Sequence, residues 1–460
     1  MIIKKYIGTK EFYRAALATA LPIMIQNGIT QFASVLDNLM VGRLGTEQMS
    51  GVAIANMLIF IYNLAIFGGL SGAGIFGAQF SGKGDNEGLR NVFRFKLYIA
   101  TVVFAAGFIA IKFFSEPLIG LYLHESESGG DLQMTMYYGK QYLSVLLWGL
   151  APFAVSQMYA TSLRETGESR KPMIAGVIAV TVNLVLNYIL IFGKLGIEPM
   201  GVKGAAVATV ISRYVELAVI AGWAHTHTEQ VPFFKGVYRT VRVPRKLSFT
   251  IARQGIPLLF NEILWASGMT ALTQCYSIRG LSVVAATSIC YTISNLFNVV
   301  FLALAVTIGI IVGNLLGAGK YEEAMDTDRK LIAFSVVTSV FIGALLAAVS
   351  KVIPGLYNTT EEVKELARIL IIIGAVYMPA DAFCSACYFT LRSGGRTFIT
   401  VLFDSVYTWT VMIPVTAAFA YLTELPIIPL YIVSYLPQLL KAVAGVLLVR
   451  SRKWIRTIVD

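Results

Sequence analysis

Long apolar runs separated by short polar connections set the rhythm of this chain from end to end. A run of about 20 apolar residues is long enough to cross a hydrocarbon core about 30 Å thick. Twelve such runs are present. In the first half they lie near residues 15–40, 52–80, 93–114, 134–160, 172–193 and 204–224. In the second half they lie near 250–278, 284–316, 331–350, 364–390, 398–421 and 426–449. The pattern predicts an all-α polytopic membrane protein with twelve transmembrane helices. The longest connection, near 225–253, reads as the boundary between two six-helix bundles, residues 1–228 and 229–460.

The two halves repeat one another. A shift of 235 carries Pro22 to Pro257, Gly45 to Gly280, Gly82 to Gly317, Gly84 to Gly319 and Glu87 to Glu322. It also carries Gly120-Leu121-Tyr122 onto Gly355-Leu356-Tyr357. After the Glu125–Asp131 loop the shift falls to 228, and Leu163-Arg164 meets Leu391-Arg392. An even number of spans per repeat gives both copies the same orientation. That predicts a pseudo-two-fold axis along the membrane normal and a central site between the halves.

Composition agrees with a membrane chain: 56% of the 460 residues are hydrophobic and 14% charged, against about 25% charged in soluble domains. The net charge of +11 therefore points to membrane topology and gives no reason to expect nucleic acid. Of the 37 Lys and Arg residues, 26 fall on one side of the predicted spans and 8 on the other. This bias places both termini in the cytoplasm and the protein in the cell membrane. The opposite side holds the acids Glu116, Glu125, Glu127, Asp131, Glu361, Glu362 and Glu365. Lys140, Arg213 and Lys441 are left within predicted spans, and Arg213 can pair with Glu216 one turn away. The start Met1-Ile2-Ile3-Lys4-Lys5 resembles a signal n-region, but the apolar run is too long for one and reads as an uncleaved span.

Motifs exclude more than they assign. Gly77 to Lys83 matches the first seven positions of a P-loop, but Gly84 stands where Ser or Thr must follow, and no strand precedes. This stretch and Gly313 to Lys320 read as glycine turns, so ATP use is not expected. Cys384-Ser385-Ala386-Cys387 has CxxC spacing, yet it lies in an apolar run with no second pair or nearby His; it reads as two buried thiols. No HExxH, GxSxG or aspartate-rich prenyl-transfer motif occurs, and His124, His225 and His227 fall in or beside loops. An enzyme is not expected.

Acids inside spans carry the chemistry: Asp37, Glu262, Asp381 and Asp404. A carboxylate deep in a membrane helix is costly and by default marks a functional site. It can exchange protons near neutral pH or, when ionised, hold sodium or a cationic substrate. The competing reading is a neutral acid bonded to a neighbouring helix as structural glue. Asp404 lies nearer a span end, where it could also face water.

Several stretches together resemble the multidrug and toxic compound extrusion (MATE) family over essentially the whole chain. They are Ala20 to Ile23, Asp37 to Gly45, Gly51 to Asn56, Leu163-Arg164 with Gly167, Asn187 to Gly193, and Leu391 to Gly394. The resemblance implies two six-helix bundles and export of organic cations or amphipathic compounds in exchange for sodium or protons. It implies a coupling site at Asp37 with Asn183 and Asn187, Asn187 standing where many relatives have Asp. That departure favours protons over sodium there. It implies a second locus at Glu262 and Asp381. No cofactor beyond the coupling ion is expected, and the chain is expected to act as a monomer in the bilayer. A flippase for lipid-linked precursors is the alternative, which would need a cationic cavity.

Overall fold

A computed structural model describes residues 5–123, 131–357 and 359–459. Lys4, His124, Glu125 and Glu127 lie outside the described residues. The described chain is all-helical. Its long helices are α1 (Lys10–Gly42), α2 (Thr46–Lys83), α3 (Asn86–Gly120), α4 (Leu132–Glu165), α5 (Arg170–Phe192) and α6 (Gly201–Thr226). The second set is α7 (Arg245–Ser277), α8 (Leu281–Gly317), α9 (Tyr321–Val349), α10 (Glu361–Ser393), α11 (Thr397–Leu422) and α12 (Ile427–Arg450). Ten of them are long and apolar enough to cross a membrane. The other two, α1 and α7, carry more polar side chains, among them Gln26, Asn27 and Asp37, and Gln254, Asn261 and Glu262. These two helices house acids singled out from the sequence.

The repeat survives in helix boundaries. α1 and α7 both span 33 residues and begin 235 apart, each with an internal proline, Pro22 and Pro257. α3 leaves helical geometry at Phe114, and α9 ends at Val349, again 235 apart. Asp131 caps α4 by accepting from Gln133 N at 2.8 Å and Met134 N at 3.1 Å; Thr360 caps α10 through Val363 N. Such caps satisfy orphan amides of the first turn.

Several helices begin earlier than their apolar runs, because membrane helices continue through polar ends. α3 starts at Asn86 rather than near 93, so Arg94 and Lys96 lie well inside the helix. Both are buried. Lys96 Nζ lies 2.7 Å from Glu165 Oε2 and donates to Ser162 Oγ at 2.9 Å. Gly77 leaves room for that acid, since an added Cβ there would stand 2.0 Å from Glu165 Oε2.

Two compact units pack separately. One comprises Ile25–Gly77 and Asn86–Phe249; its core includes Leu58, Ile66, Leu70, Leu143, Leu146 and Leu150. The other comprises Met1–Met24, Ala78–Asp85 and Thr250–Asp460. Within this second unit the end of α2 crosses the end of α8 at repeat-equivalent positions. A Cβ on Gly82 would stand 1.8 Å from Asn314 O, and one on Gly317 would stand 1.9 Å from Gln79 O. The P-loop-like glycines thus let two backbones touch. Gly84 and Gly319 then end the helices at φ +74° and +73°, a left-handed conformation that suits glycine. The C-terminal residues strap this crossing: Gln79 Oε1 accepts from Ile458 N at 2.8 Å, and Trp454 is fully buried.

Candidate functional site

The first-half cluster forms where α1 meets α5. Asn183 and Asn187 are four apart on α5, so they share a face. Asn187 donates through Nδ2 to Asp37 Oδ1 at 2.6 Å and to Asn183 Oδ1 at 3.2 Å. With its own amide turned the other way, Asn183 donates to the two Asp37 oxygens at 3.2 and 3.3 Å. Such amide orientation is assigned from hydrogen bonding. Asn187 is fully buried, and its Oδ1 accepts from no described residue. A buried acceptor left open is rare enough to need an explanation; beside a carboxylate, it is a ready ligand for a cation. Asp37 itself is half-buried and forms no ion pair among the described residues. The three residues named from the sequence therefore come together.

Glu262 and Asp381 each find a partner of their own and do not hydrogen-bond one another. Glu262 accepts from Tyr388 OH at 3.3 Å, and Asp381 accepts from Gln438 Nε2 at 2.8 Å. Asp404 is held from two sides: Lys441 Nζ lies 2.7 Å from Oδ1, and Asn261 Nδ2 donates to Oδ2 at 3.0 Å. Asn261 and Gln438 had no special signal in the sequence, since neutral amides in apolar helices look like interhelical glue. Their positions, one residue before Glu262 and three before Lys441, were the available hint.

Of the other embedded cations, Arg213 donates to Gly149 O at 3.1 Å and lies over the Phe153 ring at 4.9 Å, rather than pairing with Glu216. Lys140 pairs with Glu116 at 2.7 Å on an exposed surface. Cys384 and Cys387 are buried free thiols. A groove of about 640 Å³ runs between α3 and α4 and is lined by Phe108, Lys112, Lys140 and Trp148. None of the candidate acids lines it.

Comparison with known proteins assigns the family. The family model MatE matches residues 22–189 and 257–422, one copy in each repeat. A Thermotoga maritima relative named "Probable multidrug resistance protein NorM" is 24% identical over 98% of this chain and 96% of its own. The Bacillus subtilis protein named "Probable multidrug resistance protein YoeA" is 22% identical over 91% of this chain and 89% of its own. A solved structure described as the outward-facing conformation of a multidrug resistance MATE family transporter superposes with a TM-score of 0.84. It is 20% identical and covers 98% of this chain and 97% of that one. The Vibrio cholerae MATE transporter VcmN in its bent form gives 0.83 at 16% identity, covering 97% and 99%. With its apolar helices, this multi-pass membrane chain belongs to the MatE family of transporters.

Proposed function

We propose that the protein is a cation-coupled secondary antiporter that exports organic cations or amphipathic drugs by alternating access. The observation that carries this reading is Asp37. It is a carboxylate on a membrane helix, hydrogen-bonded by side-chain amides, with the open Asn187 Oδ1 beside it. Either a proton or sodium can neutralise such an acid, and binding would reposition α1, whose Pro22 weakens the helix ladder. Asn187 in place of an acid leaves one carboxylate in this cluster, which favours a proton. The relatives' names support a drug-like substrate class. Under this reading Glu262 and Asp381 add a second ion or substrate locus. The protein works as a monomer in the cell membrane with both termini cytoplasmic.

The flippase alternative needs cations available to a phosphate. Lys140, Arg213 and Lys441 are instead engaged with Glu116, Gly149 O and Asp404. The test is ethidium efflux from proteoliposomes under an imposed pH gradient or an imposed sodium gradient, one at a time. Efflux under the pH gradient alone is expected. Efflux driven by sodium alone would contradict the proton assignment, and silence under both would contradict the antiporter reading.

A further inference from the structure

The second unit contains an ion pair that coupling at Asp37 does not use. Asp404 lies in α11 within a π-helical stretch, Leu402–Val406, followed by another at Thr408–Met412. Such wide turns are frequent at functional sites. Both oxygens of its carboxylate are committed. Oδ1 faces the Lys441 ammonium at 2.7 Å, and Oδ2 accepts from Asn261 at 3.0 Å. Asn261 is itself fixed, because Ser405 Oγ donates to its Oδ1 at 2.7 Å. The Lys441 side chain is only 7% exposed, and its ammonium lies over the Phe403 ring at 5.4 Å. One turn earlier on α12, Gln438 occupies Asp381. On α7 and α10, Glu262 and Tyr388 bond each other, with Arg392 stacked on Phe389 at 5.1 Å.

An ammonium and a sodium ion make the same demand of a carboxylate: one positive charge at short range, with other oxygens or a π-face around it. Here the demand is met by a side chain of the protein. A sodium ion could enter only by displacing Lys441, which would leave an ammonium buried without its counter-charge. We propose that Lys441 is a resident cation, filling at Asp404 the place a mobile monovalent cation would take and thereby closing this acid to sodium. Lys441 is then a specificity-determining residue that limits ion traffic in the second half. The inference concerns residues outside the Asp37 cluster, and its test is made with Asp37 replaced, so the two readings fail separately.

The measurement is thermal unfolding of the purified full chain in detergent, in sodium chloride against choline chloride at constant ionic strength. A cation that binds the folded state raises the unfolding temperature. Asp37→Asn is expected to show no sodium response that depends on Asp404. Asp37→Asn with Lys441→Ala is expected to gain one, and to gain one also with n-propylammonium, which replaces the lost stem and charge. Adding Asp404→Asn to that double variant is expected to abolish both responses. Indifference of the double variant to both cations overturns the proposal. So does a double variant that folds with neither cation while the triple variant folds. With Lys441 intact, any sodium response that survives Asp37→Asn and is removed by Asp404→Asn also overturns it.

Discussion

Asp37 and Asp404 stand in different halves and keep different company. Asp37 takes its hydrogen bond from the Asn187 side-chain amide, whereas Asp404 is clamped between an ammonium and an amide. The repeat shows how the difference arose within one helix frame. Gln26 of α1 corresponds to Asn261 of α7, and Gly176 of α5 corresponds to Asp404 of α11. In the first half Gln26 accepts from Arg164 at 2.6 Å, and a Cβ on Gly176 would stand 2.7 Å from its amide nitrogen. In the second half the glycine's place is taken by an acid that binds the amide directly. α6 carries Glu216 where α12, allowing for a shift of 224 to 226 between their ends, carries Lys441. Backbone symmetry was kept while charge was inverted. A shared fold therefore fixes where polar groups meet and leaves open what ion they accept.

The largest expected effect breaks the second-half clamp. Lys441→Met leaves the half-buried Asp404 without its cation and should cost about 3 kcal/mol of stability. Thermal unfolding in sodium-free buffer should show most of it returned by adding Asp404→Asn. Next, Asn261→Ala removes the second donor to the same acid and should cost about 1.5–3 kcal/mol, the range for a hydrogen bond to a charged group. Asn187→Asp sharpens the contrast from the other side. A second carboxylate beside Asp37 should tighten sodium about tenfold, about 1.4 kcal/mol, read as a sodium-dependent rise in unfolding temperature. Smallest is Gly176→Ala, which pushes only on the flexible end of Gln26 and should cost about 1 kcal/mol or less. Its stability should match the parent's closely, with the Arg164 contact readjusted.

Much of the frame was legible from residues. Twelve apolar runs and the 235-residue shift anticipated helices that begin in register, and the structure extends that register to Phe114, where α3 breaks, and Val349, where α9 ends. Helix ends were less legible, because hydropathy tracks the apolar stretch while backbone hydrogen bonding carries the helix onward. Lys96, near the start of its predicted run, lies buried against Glu165. Asp37 was readable from the residues because an acid in a membrane helix is costly; its grouping with Asn183 and Asn187 came only from the resemblance to the MATE family. The Asp404–Lys441 pair was not, because it joins neighbouring helices 37 residues apart in sequence with no periodic signature. Glu262 and Asp381 were correctly placed inside helices, but which neighbour each would bond depended on side chains such as Tyr388 and Gln438 that look like ordinary core.

The central claim is that Asp37 carries the coupling charge while Asp404, already neutralised, does not. The direct measurement is ethidium efflux from proteoliposomes holding matched amounts of the parent and Asp37→Asn. Unfolding temperatures of the two should lie close together, since the clamp on Asp404 is untouched. The account predicts that the variant loses the efflux that the pH gradient drives in the parent and shows none under a sodium gradient. Efflux by Asp37→Asn at the parent's rate would contradict it.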